Sequence, residues 1–535
     1  MKKRVADVVV DTLLELGVDT CFSVVGGGAM HLNNAFEINK KMNKIFCHHE
    51  QACAFAAEGY AKFSGKTAVV SVTSGPGAVN TLNGVYSAWV DHTPMIVVAG
   101  HPRYPTTVEA SGLNLRCMGV QEFDIIPTVS NMTKYALLLK DPKKVKYEIQ
   151  KLYYTTMTGH RGPCWISIPL DIQAQVVETD ELESFYPEEY QTIDSNEIKD
   201  IVKKIKEAKR PCILTGSALR TAGAMDLFYK MTDLIDIPIV GGALLSDILP
   251  EDYKNYYGLS GNIGPRAGNF ILQNSDFILV LGNSMSARQT GFNVEEFAPD
   301  AYKVLINIEP DEAKKPGLNI NKVISCDVKD FLMEFNKLLK TNSITCDMKW
   351  KEYCTYVYEQ LKTIDDPECN TLDRVPAKYF WKRFRDYLPK DASVALGNSN
   401  GVIGIFQYGV KTKEQRVITN YNAGSMGYDL PEAVGMAVAS GKEIYCVTGD
   451  GSIMMNLQEL ETIKYNKLPI KVIVFSNDGY GAIRQTCKNF FKGVYTGCDS
   501  SSGVDFPSFE KIADSFEFNY FHCKTVSELD TTIQQ

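Results

Sequence analysis

The sequence predicts an α/β protein built from three doubly wound parallel-sheet domains in series. Short apolar stretches that end in glycine or another turn residue alternate with segments of helical periodicity along most of the 535 residues. The stretch Ala68–His101 shows the unit most clearly, because it reads as strand, glycine turn, helix and strand. Such a βαβ unit requires a parallel sheet covered by helices. The chain is also too long for one hydrophobic core, so about three domains are expected.

Two polar joins set the predicted domain boundaries. The first domain covers residues 1–175, and an acidic join follows at 178–194. The second domain covers 195–342, and a polar join at 343–374 leads to the third domain at 375–535. The last residues read as a strand and the start of a helix, where another strand is expected next, so we expect the third domain to be truncated at its C-terminus.

Composition excludes several classes of function. The 56 basic and 64 acidic residues give a net charge of −8, which argues against nucleic-acid binding. No apolar run reaches the roughly 20 residues that span a bilayer, so we expect no membrane contact. The basic N-terminus continues into a segment interrupted by Asp7, Asp11 and Glu15, which predicts an amphipathic helix rather than a signal peptide. The 14 cysteines lack CxxC spacing and predict reduced thiols in a cytoplasmic protein.

A strand-to-helix junction carries the sequence TGDGS, Thr448–Ser452. An apolar stretch precedes it, and Ile453, Leu457 and Leu460 follow at helical spacing. Backbone N–H groups at a helix start attract anions, and glycines allow a ligand to come close. Asp450 would add negative charge beside a phosphate, which requires a divalent cation between them. An ordinary Asp-Gly turn is the alternative.

The next predicted strand ends in Asn477-Asp478-Gly479, about 27 residues further along the chain. Because neighbouring parallel strands end at one edge of a sheet, we expect Asp450 and Asn477 to lie side by side. A carboxylate, an amide oxygen, a backbone carbonyl, two phosphate oxygens and a water would complete an octahedral Mg²⁺ site. The alternative is two unrelated turns in which these side chains cap helices.

GDGS followed at this distance by an asparagine-containing loop resembles the signature of thiamine-diphosphate enzymes. The similarity covers nearly the whole chain and is greatest to the acetolactate synthase family. It implies a pyrimidine-binding, a central Rossmann-like and a diphosphate-binding domain. The family's usual motif has two asparagines, and Ser476 replaces the first one here, which leaves the metal-binding residue in place. The resemblance assigns Mg²⁺ to Asp450, Asn477 and the carbonyl of Gly479, and places the diphosphate at Gly449, Gly451 and Ser452.

The stretch Cys47–Gly65 resembles the family segment that carries a catalytic glutamate, here Glu50. The resemblance implies that this carboxyl hydrogen-bonds N1′ of the aminopyrimidine, so that the 4′-imino nitrogen can remove the thiazolium C2 proton. A carboxyl in an apolar pocket can hold a raised pKa and share the N1′ proton. Without the resemblance, Glu50 is a helix-start carboxylate. His49 with Cys53 resembles part of an HExxH zinc pattern, with no third ligand evident.

Other segments resemble parts of the family's active site. Met426 would hold the two cofactor rings in a bent conformation, and the carbonyl of Gly424 would accept a hydrogen bond from the 4′-amino group. Gln121 matches the active-site glutamine of the synthases, where simple keto-acid decarboxylases carry a histidine pair. The remaining positions assigned to cofactor or substrate are Gly26, Gly27, Ser74, Gly75, Asn398 and Asn400. Ser74 and Gly75 also suit a plain strand-to-helix turn.

The middle domain resembles the flavin-binding domain of the biosynthetic synthases. Arg288 lies at the matching cofactor-binding place, and Asp327 would face an adenine. The reaction needs no redox step, and related enzymes keep this domain with ADP or empty. FAD, ADP and an empty site therefore stay open as alternatives.

The resemblance implies a carboligase that uses thiamine diphosphate and Mg²⁺. It would decarboxylate a 2-keto acid, with pyruvate as the first expectation, and transfer the two-carbon unit to a second carbonyl. Two departures alter the expected acceptor pocket, because Thr486 replaces the tryptophan of the branched-chain synthases and His101 replaces a glutamine. A keto-sugar nucleotide is therefore an alternative acceptor. The resemblance also implies a homodimer or homotetramer with each active site between subunits.

Two rival functions remain at this point. One is a 2-keto acid or acyl-CoA decarboxylase that does not ligate. The other is a regulatory subunit of the same fold that has lost catalysis, against which the presence of Glu50, Asp450 and Asn477 argues.

Overall fold

The computed structural model describes residues 1–187, 193–242, 244–361, 374–398 and 400–535. Within them, three parallel sheets of six, six and four strands carry the architecture. Central strands such as Val69–Val72 and Met95–His101 are buried along their whole length. Continuous apolar strands of this kind are typical of parallel sheets covered on both faces. The predicted α/β class with three parallel-sheet domains is confirmed.

The N-terminal sheet has the strand order β3-β2-β4-β5-β7-β6, and every pair is parallel. A short antiparallel pair, β1 with β8, brings the first residues to Val176–Glu178. The strands are β1 (Lys2–Arg4), β2 (Thr20–Ser23), β3 (Asn43–Phe46), β4 (Val69–Val72), β5 (Met95–His101), β6 (Tyr135–Leu138), β7 (Pro163–Pro169) and β8 (Val176–Glu178). The helices are α1 (Val5–Glu15), α2 (Met30–Ile38), α3 (Glu50–Ser64), α4 (Pro76–Asn80), α5 (Leu82–Val90), α6 (Val108–Ser111), α7 (Ile126–Val129), α8 (Val145–Met157) and α9 (Leu170–Ala174).

The middle sheet has the order β12-β11-β9-β13-β14-β15, and a separate parallel pair joins β10 to β16. The strands are β9 (Pro211–Thr215), β10 (Ile235–Asp236), β11 (Ile239–Gly241), β12 (Tyr256–Leu259), β13 (Phe277–Leu281), β14 (Tyr302–Asn307), β15 (Lys322–Ser325) and β16 (Ile344–Thr345). The helices are α10 (Ser195–Glu207), α11 (Ala218–Thr221), α12 (Met225–Leu234), α13 (Arg266–Asn274), α14 (Ala287–Thr290), α15 (Val328–Leu339) and α16 (Met348–Leu361).

The third sheet has the order β18-β17-β19-β20. The strands are β17 (Ser393–Leu396), β18 (Arg416–Thr419), β19 (Ile444–Gly449) and β20 (Ile470–Phe475). The helices are α17 (Ala377–Tyr387), α18 (Asn400–Tyr408), α19 (Asp429–Ser440), α20 (Asp450–Ile453), α21 (Glu459–Tyr465), α22 (Gly481–Phe490), α23 (Phe509–Ser515) and α24 (Val526–Gln534).

Two local expectations are wrong. The helix predicted after TGDGS is broken into the single turn α20 and the separate helix α21. Asn456 lies in the break, wholly buried, and its side chain donates to the Gly427 carbonyl at 2.7 Å. The final segment contains α24, but its expected strand near Tyr520 is unpaired among the described residues.

Contacts within the chain define two compact units. The first contains Met1–Glu189, Val394–Asn398 and Asn420–Phe518, and the second contains Tyr190–Ser393, Ser399–Thr419 and Asn519–Gln535. The first unit therefore includes both the N-terminal sheet and strand β19 with the GDGS turn at its end. The domain boundaries given above remain predictions. Over the described part of the chain, no helix is long and apolar enough to cross a membrane.

Two glycines let helices α3 and α19 of the first unit cross with their backbones in contact. A Cβ added at Gly59 would lie 2.5 Å from the carbonyl oxygen of Glu432. A Cβ added at Gly435 would lie 1.9 Å from the carbonyl oxygen of Ala56. Neither backbone can yield as a flexible side chain would, so glycine is required at the crossing.

Gly435→Ala should therefore lower the free energy of unfolding of the first unit by roughly 3 kcal/mol, because the new methyl group forces the two helix backbones apart. Native-state hydrogen exchange of the α3 amides measures this locally. Ala439→Ser, on the same helix and half-buried, is the control and should leave the exchange unchanged. Unchanged protection in Gly435→Ala would mean that the crossing is not tightly packed.

Candidate active site

The carboxyl ends of β2, β4 and β5 bring two loops together at one edge of the N-terminal sheet. A Cβ at Gly26 would lie 2.5 Å from the Cβ of Thr73, and one at Gly28 would lie 2.4 Å from the Ser74 Oγ. Gly28 N–H donates to the Thr73 Oγ1 at 3.0 Å. Gly27 has open space around it and is exposed. The glycine loop thus packs on the Ser74 turn and leaves Gly27 accessible to a ligand.

Glu50 begins helix α3 and faces the same turn. Asn80 donates to the Glu50 Oε2 at 2.9 Å, and a Cβ at Gly77 would lie 3.2 Å from its Oε1. The carboxyl group is half-buried. Glu50 is therefore both a helix-start carboxylate and a group that lies beside the predicted pyrimidine site.

The zinc alternative receives no support. The ring Nδ1 of His49 accepts from Gln51 N–H at 3.0 Å and caps the helix. Cys53 is wholly buried, and burial raises the pKa of its thiol well above the usual value. Within the described residues, no third ligating side chain joins these two.

Gln121 also reaches this edge. Its backbone has φ 54°, and Gly75 has φ 57°. A Cβ at Gly75 would lie 2.4 Å from the Gln121 carbonyl oxygen. The loop that carries Gln121 therefore packs on the Ser74–Gly75 turn, and the Gln121 side chain is exposed there.

In the third sheet, the carboxylate of Asp450 gathers the ends of β19 and β20. Its Oδ1 accepts from Gly451 N–H at 2.8 Å, and its Oδ2 accepts from Asn477 N–H at 2.8 Å and Gly479 N–H at 3.2 Å. Asp450 is only 2% exposed. The three residues that the sequence assigned to a metal therefore lie together.

Arg484 contacts the same group from the first turn of α22. Its Nη2 donates to the Asn477 carbonyl oxygen at 2.6 Å and to the Asn477 Oδ1 at 2.7 Å. A guanidinium thus lies on the amide oxygen that the resemblance gives to a metal. A Cβ at Gly449 would meet only the Phe475 carbonyl oxygen, at 4.0 Å, so the backbone at the end of β19 is open.

Ser452 and Asn398 hold the segment expected to bend the cofactor. Ser452 Oγ accepts from Gly427 N–H at 2.8 Å and donates to the Asp429 carboxylate at 2.7 Å. The Asn398 amide donates to the Ser425 carbonyl oxygen at 2.5 Å. Gly424 has φ 63°, and Met426 is half-buried. Asn400 begins α18, but its side chain lies outside the described residues.

Side-chain amides join the two edges within the first unit. Ser425 Oγ donates to the Asn83 Oδ1 at 3.0 Å, one helical turn from Asn80, which binds Glu50. Asn456 donates to the Gln51 Oε1 at 3.1 Å. One chain therefore brings Glu50 close to the Gly424–Met426 segment.

Sequence reasoning missed these bridging residues. Asn80 and Asn83 follow the predicted Ser74–Gly75 turn and lie three residues apart, which was the available signal. Nothing in the sequence pointed to Arg484 or Asn456.

Arg288 and Asp327, which the resemblance assigns to a nucleotide, make local contacts in the middle domain. The Asp327 side chain caps helix α15 by accepting from Lys329 N–H at 2.8 Å. Glu309 caps the turn after β14 in the same way. The Arg288 carbonyl oxygen accepts from Asn262 N–H at 2.8 Å.

A buried cluster of charges lies behind the site, between α3, α5 and α19. Lys62 Nζ lies 2.7 Å from both the Glu58 and the Asp91 carboxylates, and 3.3 Å from the Tyr428 hydroxyl. Glu432 is wholly buried beside them, and burial raises its pKa well above the usual value. Burial likewise raises the pKa of Glu58. The Lys62 ammonium thus interacts with three buried carboxyl groups, those of Glu58, Asp91 and Glu432.

Three family models match the chain. They are described as the N-terminal TPP binding domain, the central domain and the C-terminal TPP binding domain of thiamine pyrophosphate enzymes, and they cover residues 3–124, 198–335 and 396–535. Thiamine pyrophosphate is another name for thiamine diphosphate. This chain belongs to the thiamine-diphosphate-dependent enzymes.

Relatives of this family span almost the whole chain. The acetolactate synthase isozyme 2 large subunit of Escherichia coli is 27% identical over 98% of this chain and 92% of its own length. The acetolactate synthase large subunit of Lactococcus lactis is 28% identical over 96% and 86%. The chloroplastic acetolactate synthase of Arabidopsis thaliana is 27% identical over 92% and 72%. The predicted family, the enzyme class and thiamine diphosphate as cofactor are confirmed.

Glu432→Gln should stabilise this thiamine-diphosphate-dependent enzyme most at alkaline pH. A buried carboxyl group whose pKa is raised by folding contributes its full stability below the ordinary glutamate pKa of about 4.3. This contribution to stability is lost as the pH rises through the pKa of the group in the folded protein. Thermal unfolding from pH 5 to 8.5 measures the effect. The variant should resemble the wild type near pH 5 and melt at a higher temperature at pH 8.5. Glu461→Gln, on α21, is the control. A difference in melting temperature between Glu432→Gln and the wild type that is the same at every pH would contradict the raised pKa of Glu432.

Proposed function

We propose that the protein is a carboligase dependent on thiamine diphosphate and Mg²⁺. It decarboxylates a 2-keto acid, with pyruvate as the first candidate, and transfers the two-carbon unit to a second carbonyl compound. One observation carries the proposal: Glu50 and the Asp450–Asn477 group, which the family uses at opposite ends of the cofactor, lie in one compact unit, in which Asn80 binds Glu50 and Asn83 binds the Ser425 segment. The names of the relatives support ligation over simple decarboxylation.

The residues present fit the cation and the diphosphate. Asp450, Asn477 and Gly479 offer a carboxylate, an amide oxygen and a backbone carbonyl, which are the hard oxygen ligands that Mg²⁺ prefers. The Asp450 Oδ1 accepts one backbone N–H group and retains a lone pair for a metal, whereas the Oδ2 already accepts two N–H groups. Gly449 lies at the open end of β19, where a diphosphate would approach the backbone, and Gly451 and Ser452 follow in the buried turn.

Thiamine diphosphate supplies, when bound, a carbon nucleophile that adds to a keto acid and stabilises the loss of CO₂. Glu50 would hold the proton at N1′ of the pyrimidine, with Asn80 fixing its carboxylate. Met426 would support the bent conformation of the cofactor, and the Gly424 carbonyl would accept from its 4′-amino group. Gln121, on the loop against Gly75, would face the substrate.

A keto-sugar nucleotide is an alternative acceptor, and a non-ligating decarboxylase is the alternative reaction. We infer a cytoplasmic homodimer or homotetramer. The family places the active site between subunits, whereas the hydrogen bonds described here join the Glu50 region to Ser425 and Asn456 within one chain. The middle domain, with Arg288, would hold FAD, ADP or nothing.

With pyruvate, thiamine diphosphate and Mg²⁺, the wild type should release CO₂ and form a carbon–carbon ligation product. Glu50→Gln should lower CO₂ release by about 10²-fold or more, because an amide cannot hold the N1′ proton as a carboxyl does. Calorimetric titration should show that this variant still binds thiamine diphosphate. Acetaldehyde as the sole product would favour the decarboxylase, and full turnover by Glu50→Gln would refute the role of Glu50.

Arg484→Met should tighten divalent-cation binding about threefold to tenfold, because the guanidinium no longer competes for the Asn477 Oδ1. Mn²⁺ binding in the presence of thiamine diphosphate, followed by electron paramagnetic resonance, measures this without turnover. Lys488→Met removes the same charge one turn further along α22 without contacting Asn477. Equal effects of the two substitutions would show that only general charge matters.

A further inference from the structure

Gly427, the residue after Met426, is buried and is held on both sides of its backbone by the segment that follows β19. Its N–H donates to the Ser452 Oγ at 2.8 Å, and its carbonyl oxygen accepts from the Asn456 Nδ2 at 2.7 Å. Its φ is 78°, and a Cβ there would lie 2.7 Å from the Met455 Cβ. Glycine is therefore required here, and the backbone next to Met426 is fixed to the GDGS region.

A buried carboxylate holds the Ser452 hydroxyl that binds Gly427. Ser452 Oγ donates to the Asp429 Oδ2 at 2.7 Å, and the Asp429 Oδ1 accepts from Leu430 N–H at 2.9 Å. Asp429 is wholly buried, and a Cβ at Gly397 would lie 2.3 Å from its Oδ2, so the carboxylate packs directly on that backbone. Burial raises the pKa of Asp429, and the Ser452 and Leu430 donors oppose this by favouring the ionised form.

The hydrogen bonds of the Ser452 hydroxyl also limit what it offers to a diphosphate. A serine hydroxyl has one proton to donate, and here that proton goes to Asp429. Diphosphate oxygens at neutral pH only accept hydrogen bonds. In this arrangement Ser452 can therefore donate to a diphosphate only through its backbone, while its side chain joins Asp429 to Gly427.

Asn456 ties the same peptide to the helix that begins with Glu50. Besides the Gly427 carbonyl oxygen, its Nδ2 reaches the Gln51 Oε1 at 3.1 Å, and its Oδ1 accepts from the Gln458 Nε2 at 3.2 Å. Asn456 is wholly buried, and both of its amide protons are used. The Gly427 peptide is thus held between the GDGS region and the first turn of α3.

We propose that Asp429, acting through the Ser452 hydroxyl, is a positioning residue that fixes the Gly424–Gly427 segment before the cofactor binds. Asn456 fixes the same segment from the other side of the Gly427 peptide. The inference rests on the part of the proposed function in which Met426 and Gly424 contact thiamine diphosphate. A segment already held in its binding conformation needs no ordering when the ligand arrives, and the apparent affinity falls with the fraction of molecules in which it is so held.

Two measurements on the full chain test this without turnover. The first is hydrogen exchange of residues 420–428 in the cofactor-free protein, followed by mass spectrometry. The second is the Kd for thiamine diphosphate in the presence of Mg²⁺, from calorimetric titration. The variants are Asp429→Ala, Ser452→Ala and the double substitution. Ser440→Ala, which removes a hydroxyl hydrogen bond at the far end of α19, is the control.

Two further variants separate the hydrogen bonds from packing. Asp429→Asn is the conservative variant, because its Oδ1 can accept from Leu430 N–H while its Nδ2 donates to the Ser452 Oγ. Asp429→Leu fills the space of the carboxylate without accepting a hydrogen bond. It takes the place of Asp429→Ala if the smaller side chain prevents folding, and the same results are expected.

In Asp429→Ala and in Ser452→Ala the segment should exchange at least about tenfold faster than in the wild type, because the Gly427 N–H loses its acceptor or the group that orients it. Each variant should bind thiamine diphosphate about tenfold more weakly. The double variant should bind no more weakly than either single one, because the two residues act as one chain of hydrogen bonds. Asp429→Asn should stay within about threefold of the wild type in both measurements, and Ser440→Ala should match the wild type.

Unchanged exchange or an unchanged Kd in Asp429→Ala would overturn the inference. A weaker Kd in Ser452→Ala with a wild-type Kd in Asp429→Ala would show that the Ser452 hydroxyl binds the diphosphate directly. Losses that add in the double variant would likewise show that the two residues act separately. Absence of ligation by the wild type would overturn the proposed function, whereas the binding and exchange results would still decide the role of Asp429.

Discussion

The carboxylate of Asp450 is the interaction on which the candidate site depends. It is almost wholly buried, and it accepts N–H groups from its own helix turn and from the loop after the neighbouring strand. A buried charge of this kind is tolerated because backbone donors compensate it. The same bonds fix Asn477 and Gly479 beside Asp450, so that the ends of two strands form one oxygen-rich group.

The second constraint is the contact between helices α3 and α19. Gly59 and Gly435 allow their backbones to touch, and the helices start or follow the segments that carry Glu50 and Met426. Behind the contact, Lys62 lies between buried carboxyls. The residues at the two sheet edges are thus positioned by one tightly packed interior in which the buried charges are paired. A substitution at the helix crossing should therefore alter the geometry of both edges.

The fold and most of the site followed from local sequence patterns. Apolar strands that end in glycine predicted the parallel sheets, and the spacing of GDGS and Asn477 predicted that they meet. The break between α20 and α21 was not predictable, because Ile453, Leu457 and Leu460 keep helical spacing while Asn456 is drawn to the Gly427 carbonyl by a tertiary hydrogen bond. The bridges from Asn80 and Asn83, and the position of Arg484, also depend on contacts between distant segments. The helix cap that the Asp327 side chain makes by accepting from Lys329 N–H was likewise not predicted.

The central claim is that Asp450 and Asn477 hold a divalent cation against a thiamine diphosphate that also reaches Glu50. A crystal structure grown with thiamine diphosphate and Mn²⁺, with anomalous diffraction from the metal, tests it most directly. The account predicts one strong anomalous peak about 2.1 Å from an Asp450 carboxylate oxygen and the Asn477 Oδ1, with the pyrimidine ring beside Glu50 and Arg484 displaced. A metal peak away from these residues, or a cofactor that does not reach Glu50, would contradict it.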